Sequence, residues 1–172
     1  GFNMTREYTR EEMLARMSEL ASPPPKDFLL IEVDPLSKIK RLSEDGNGNF
    51  DNGRYDEAIK NWKTALEISE KPPITWLGYH SIAVLCGNLA MVYGLQGDSS
   101  SQLLFLKREI KTREEYDTNS LSHGIAHGNI ATVYRDGGRL NLALEHYQKY
   151  LEIKQKILPH DHPDIVYGFY IT

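Results

Sequence analysis

The stretch Asn52–Leu66, NGRYDEAIKNWKTAL, decides how the rest of the chain is read. Asn52-Gly53 breaks the chain, and Arg54 to Ser69 then predicts a helix. Tyr55, Ala58, Ile59, Trp62, Ala65 and Leu66 share one face of it. The same unit recurs at Gly97 and Gly138, spaced 44 and 41 residues apart. Five residues after each glycine stands Ala58, Gln102 or Ala143; nine after, Trp62, Leu106 or Tyr147; thirteen after, Leu66, Ile110 or Leu151. Ahead of the later two glycines, Gly87-Asn88-Leu89-Ala90-x-x-Tyr93 matches Gly128-Asn129-Ile130-Ala131-x-x-Tyr134. A match in two separate helices marks an internal repeat.

Working outward, each glycine lies between two predicted helices. Asp34-Pro35 reads as an N-cap followed by proline at the first helical position, opening a helix towards Phe50. Gly46 and Gly48 within it cost helix propensity, and close packing against a neighbour would explain them. Further helices are expected over Thr75–Gln96, Ser99–Tyr116, Leu121–Asp136 and Arg139–Ile157, with Asp98 as a cap. In the last of these, Leu140, Ala143, Leu144, Tyr147, Tyr150 and Leu151 are expected to face inward. At the N-terminal end, Thr9 and Glu12 have capping-box spacing for a helix carrying Met13, Met17 and Leu20, which Ser22-Pro23-Pro24-Pro25 ends. Phe28–Val33 is a short apolar run, either strand or helical turn.

The composition narrows function. The chain has 172 residues with a net charge of −4, which counts against broad binding to nucleic-acid phosphates. No run of 18 apolar residues exists, so no membrane span is expected. Cys86 is the single cysteine and sits in an apolar helical pattern, which predicts a buried thiol, a reducing compartment and a cytoplasmic location. Gly1 ahead of Met4 suggests an internal fragment or an added residue, and the final GFYIT looks cut from something longer.

The glycine, alanine and aromatic positions resemble the tetratricopeptide repeat (TPR). The longer spacing, the Asn-Leu-Ala and Asn-Ile-Ala spellings and the connector Leu158-Pro-His-Asp-His-Pro-Asp164 resemble the kinesin-light-chain and Leu-Gly-Asn-repeat adaptors. The resemblance, which covers about residues 36–172, implies an all-α fold, a right-handed superhelical solenoid of antiparallel helix pairs; the capping-box reading adds an extra N-terminal helix outside it. Residues 1–35 would form that helix and a Pro-rich bend. Residues 36–172 would form the array: repeats at 36–73, 74–117 and 118–158, and the start of a fourth at 159–172. Gln102, Glu109 and Tyr150 depart from the small residues usual at their positions, so the middle pair is expected to pack more loosely or sit offset.

In such arrays the first helix of each pair lines a concave groove. The alignment places Asn88 and Asn129 at equivalent groove positions, with Asn47 one turn nearer the turn. An amide donates and accepts, so an asparagine ladder can clamp an extended peptide; the competing reading is hydrogen bonding to neighbouring helices. By offset, Lys40, Ser43, Val84, Met91, Ile125, Thr132 and Arg135 are further groove candidates. Chaperone-tail-binding members grip a terminal carboxylate with lysine and arginine on the third repeat's first helix. Ile125 and Asn129 stand there instead, which argues against that type.

His123 and His127, four apart on a helix, and the His160-Asp161-His162-Asp164 cluster contain metal-ligand types, but neither makes a closed ligand shell. No metal or cofactor is expected. No GxxxxGK or GxGxxG fingerprint or nucleophile triad occurs, so no enzyme is expected. The implied function is a protein-interaction scaffold or adaptor that binds a peptide or helical segment. The alternative is a regulatory or self-associating module of a larger signalling protein or enzyme, with the N-terminal segment folding back into the groove. Val166, Tyr167, Phe169 and Tyr170 would leave an open apolar end through which the chain could self-associate.

Overall fold

The computed structural model describes residues 34–158. The chain divides between Val33 and Asp34 into two units, and every described residue belongs to the second. The expected N-terminal helix, the 28–33 run and the start of a fourth repeat lie outside the described residues.

Six helices account for the fold: α1 (Pro35–Asp51), α2 (Tyr55–Ser69), α3 (Trp76–Leu95), α4 (Ser99–Tyr116), α5 (Leu121–Asp136) and α6 (Leu140–Ile157). There is no strand among the described residues. The starts are set by local chemistry. The Asp34 carboxylate accepts from the Leu36 and Ser37 amides ahead of Pro35. Thr75, Asp98 and Ser120 each accept from an amide in the first turn of α3, α4 and α5.

The ends of α1, α3 and α5 are one structure used three times. Gly53, Gly97 and Gly138 have φ of 72°, 76° and 74°, a left-handed backbone that an L side chain resists. The amides of Arg54, Asp98 and Arg139 then donate back to Asn49, Tyr93 and Tyr134 at 2.8, 2.9 and 2.8 Å. The glycine amides donate to Phe50, Gly94 and Arg135. This is the Schellman arrangement, which satisfies the last carbonyls and reverses the chain.

The returning helix packs on the one before it, and close approach is achieved by matching sizes across the pair. In the first pair, a Cβ on Gly46 would run into the Trp62 ring. Trp62 is 1% exposed and its indole Nε1 donates to the Ser43 carbonyl at 3.4 Å. Gly48 differs from expectation: nothing lies within 4 Å of a Cβ built there, so packing does not explain it.

The second pair is not loose, which overturns the expectation drawn from Gln102 and Glu109. Their bulk is accommodated by glycines on the facing helix. Gln102 fills the space over Gly94, and Glu109 Oε2 would lie 3.1 Å from a Cβ on Gly87. The third pair repeats the device: Gly124 faces Ile153 and Gly128 faces the Tyr150 ring.

One apolar core runs through the array, from Ile39 of α1 through Trp62, Leu85, Leu106 and Ile130 to Ala143 of α6. A pairing of Arg108 with Glu70 also ties α4 to the end of α2. A second correction concerns α6. Leu140 and Leu144 are 65% and 49% exposed, and Ala143 and Ile153 are the buried residues. Leu144 aligns with Leu103 of α4, which is half-buried because α5 packs beside it. Leu140 and Leu144 therefore do not face inward among the described residues, which place no helix over them.

Candidate functional site

The first helices of the three pairs present matching stripes. Thirteen, nine and six residues ahead of the turn glycines stand Lys40, Glu44 and Asn47 on α1. The same offsets give Val84, Asn88 and Met91 on α3, and Ile125, Asn129 and Thr132 on α5. Val84, Met91 and Ile125 are 38%, 44% and 44% exposed, unusual for apolar residues of helices packed on both sides. Asn129 is exposed and Asn88 half-buried. Among the described residues neither side-chain amide has a hydrogen-bond partner. Their donors and acceptors face outward unused, as a ligand-binding amide requires.

Between the second and third pairs these helices open a cleft of about 900 Å³. One wall is α3, with Met91 and Leu95; the floor is α4, with Gln102 and Leu103; the other wall is α5, with Asn129 and Thr132. Gly87 and Gly94 line its α3 side, where Glu109 and Gln102 pack over them and help form the lining. Of the residues expected from sequence it brings together Met91, Asn129 and Thr132. Asn88, Val84 and Ile125 lie outside its lining.

The remaining expected residues are placed otherwise. Lys40 is exposed on α1, with Glu44 3.9 Å from its Nζ, so the stripe there is charge-balanced. Asn47 is exposed on the same helix, and Ser43 turns back to donate to the Ile39 carbonyl. Arg135 is not among the lining residues of the cleft: its Nε donates to Asp136 at 3.1 Å and its Nη1 to the Tyr147 hydroxyl at 3.4 Å. The same hydroxyl lies 3.1 Å from Thr132 Oγ1, so Tyr147 fixes both side chains. Sequence reasoning missed Gln102 and Leu103, because the second helix of a pair was read as packing alone. The signal was present in Gly94, whose missing side chain makes room for Gln102.

Several buried polar groups are paired within the fold, whereas the buried Tyr116 hydroxyl has no hydrogen-bond partner among the described residues. Glu109 and Arg113 are bonded at 2.9 Å, and Arg113 reaches Asp117 at 3.3 Å. Burial raises the Glu109 carboxyl against the opposing pull of Arg113. Burial, with help from Glu109, pushes the Cys86 thiol up to about 12, so it is an inert buried thiol. Burial lowers His123, His127 and His146, His127 to about 4, and holds all three neutral near pH 7. No helix among the described residues is long and apolar enough to cross a membrane.

Residues 128–164 match the family model of the tetratricopeptide repeat. No curated protein sequence matches significantly. Among solved structures, BtubC from P. vanneervenii is 19% identical with a TM-score of 0.70, over 82% of this chain and 56% of that one. A candidate kinesin light chain of Podosopora anserina with nearly identical TPR-like repeats is also 19% identical, with a TM-score of 0.61 over 78% and 62%. The first TPR of Spaghetti bound to an HSP90 peptide is 19% identical, with a TM-score of 0.54 over 82% and 97%. The aligned part of this chain thus spans less than two thirds of the first two. With the three matching glycine turns and the paired helices, these likenesses give the fold: residues 128–164 match a tetratricopeptide repeat, and the helix pairs of the described residues are folded like the tetratricopeptide-type repeats of these structures.

Proposed function

We propose that this chain is a non-enzymatic protein-interaction scaffold that takes an extended peptide segment of a partner between its second and third repeats. The carrying observation is the cleft of about 900 Å³, walled by an exposed Met91 and an unpartnered Asn129 amide. Met91 and Leu95 supply adaptable apolar contact, Asn129 bonds to peptide backbone, and Asn88 extends the same stripe beyond the cleft. A fold neighbour bound to an HSP90 peptide supports this class of ligand. The cationic clamp for a terminal carboxylate is replaced by Ile125 and Asn129, so the proposed ligand is an internal segment. The net charge of −4 and the single buried cysteine favour a protein partner over nucleic acid, and a cytoplasmic setting.

The test is selection of binding peptides from a displayed random library, followed by titration into wild type and an Asn88→Ala/Asn129→Ala variant. Binding should weaken roughly tenfold or more while helicity and melting stay unchanged. Equal affinity in the two proteins would remove the groove from the account.

A second reading, self-association, is favoured by the exposed Leu140, Leu144 and Ile157 of α6. Leu140 and Leu144, one turn apart, share an apolar face suited to a further helix or a second copy. Light scattering that reports a monomer at high concentration would count against it.

A further inference from the structure

The third pair holds a histidine array whose hydrogen-bond order can be read from its ends. The Asn119 amide can only donate, so His123 Nδ1 accepts from it at 3.2 Å. The proton of neutral His123 therefore sits on Nε2, which faces His127 Nε2 at 3.2 Å. His127 then carries its proton on Nδ1 and donates to His146 Nδ1 at 2.9 Å. His123 and His127 are one turn apart on α5 and buried at 6% and 1% exposure. His146 comes from α6.

We propose that Glu114 of α4 and His123 and His127 of α5 form a binding site for a divalent late transition metal such as zinc, with His146 as a positioning residue. One ligand atom of each of the three lies within 4.8 Å of the other two. The two Nε2 atoms, 3.2 Å apart, already stand at the separation of two ligands on a tetrahedral zinc, about 3.3 Å. Glu114 is exposed, so its carboxylate is free to swing the remaining distance. Two imidazoles and one carboxylate suit zinc, nickel and copper over magnesium or calcium. Three protein ligands leave the fourth position to water.

At His127 the tautomer is already the right one. Nε2 is unprotonated and becomes available to the metal once the His123 Nε2 proton leaves the bond between them, and Nδ1–H is oriented by His146, in the place a carboxylate, carbonyl or water usually takes. At His123 the metal takes Nε2, so the ring proton moves to Nδ1 and no net proton leaves. The Asn119 amide then loses its acceptor and turns away. Asn119 lies in the connector before α5 with φ of 62°, where a peptide can reorient without breaking a helix. The bound ion clamps α4 to α5, the junction of the second and third repeats.

The experiment is titration of zinc and cobalt chloride into the chelator-treated protein, with wild type and four single variants. One equivalent should bind and raise the melting temperature. Glu114→Gln, at an exposed position that leaves the fold intact, should weaken binding roughly tenfold or more, and His127→Gln should abolish it. His146→Leu should weaken it about 10- to 100-fold, and His146→Asn, which keeps an acceptor near the same place, should restore most of that loss. The Asn119 amide resonance should move with the same saturation curve. Absence of saturable binding by wild type, or equal binding by wild type, Glu114→Gln and His127→Gln, would overturn the proposal.

Discussion

The first helix pair and the later two solve the same packing problem with different chemistry. In the first, Gly46 accepts the face of Trp62, and Ala58 and Ala65 complete a contact made of carbon and one indole. In the second, Gly87 and Gly94 open room for Glu109 and Gln102, and in the third Gly124 and Gly128 do so for Ile153 and Tyr150. The later pairs also bury titratable groups: Glu109 with Arg113, and the three histidines. Small residues are therefore a property of a facing pair of positions. A pattern read along one helix records only half of it.

That contrast can be broken at several points. Trp62→Ala should have the largest effect, a loss of about 4 kcal/mol, because Trp62 fills the space that Gly46 leaves. Glu109→Ala should cost about 3 kcal/mol, since Arg113, 6% exposed, is left with Asp117 alone. Both are read from chemical denaturation.

Acid should separate the pairs. In metal-free protein the three histidines have lowered pKa values in the fold. The unfolded chain therefore binds their protons first. Their contribution is fully present above about pH 6.5 and is lost as pH falls towards the His127 value of about 4. For His127 alone the loss is up to about 3 kcal/mol. Glu109, raised by burial, acts in the opposite direction at the low end of this window, so the readout is local. Amide protection factors, which correct for the intrinsic slowing of exchange in acid, should fall in α5 and α6 between pH 7 and pH 5 and stay unchanged in α1 and α2.

Two glycines of α1 give the finest test. Gly46→Ala should destabilise by about 2 kcal/mol through collision with Trp62. Gly48→Ala, which meets nothing, should stabilise by about 1 kcal/mol through helix propensity. Opposite shifts in melting temperature would verify both assignments; shifts of the same sign would show that the packing of α1 has been misjudged.

Much of this architecture was legible in the sequence because it is local. Asp34-Pro35, Asp98 and the glycines at 53, 97 and 138 act within a few residues of themselves, and the helix limits follow from them. Contacts made across helices were less legible. Gln102 looked like a packing fault until Gly94 was seen beneath it. Leu140 and Leu144 were expected to face inward and are exposed, because periodicity does not reveal whether a neighbour covers a face. His123 and His127 were visible as an i, i+4 pair, whereas Glu114 and His146 join them only through the packing of α4 and α6. For the cleft, the repeat offset pointed to Met91, Asn129 and Thr132, and the same offset drew in Arg135, which Tyr147 and Asp136 hold elsewhere.

The central claim is that a peptide lies between α3 and α5. Met91 is one of four methionines and stands on the α3 wall, so its methyl group reports on the cleft directly. In protein labelled at the methionine methyls, titration with a selected peptide should shift the Met91 resonance along the same saturation curve as the Asn129 side-chain amide. A peptide that binds while both resonances stay in place would contradict the account.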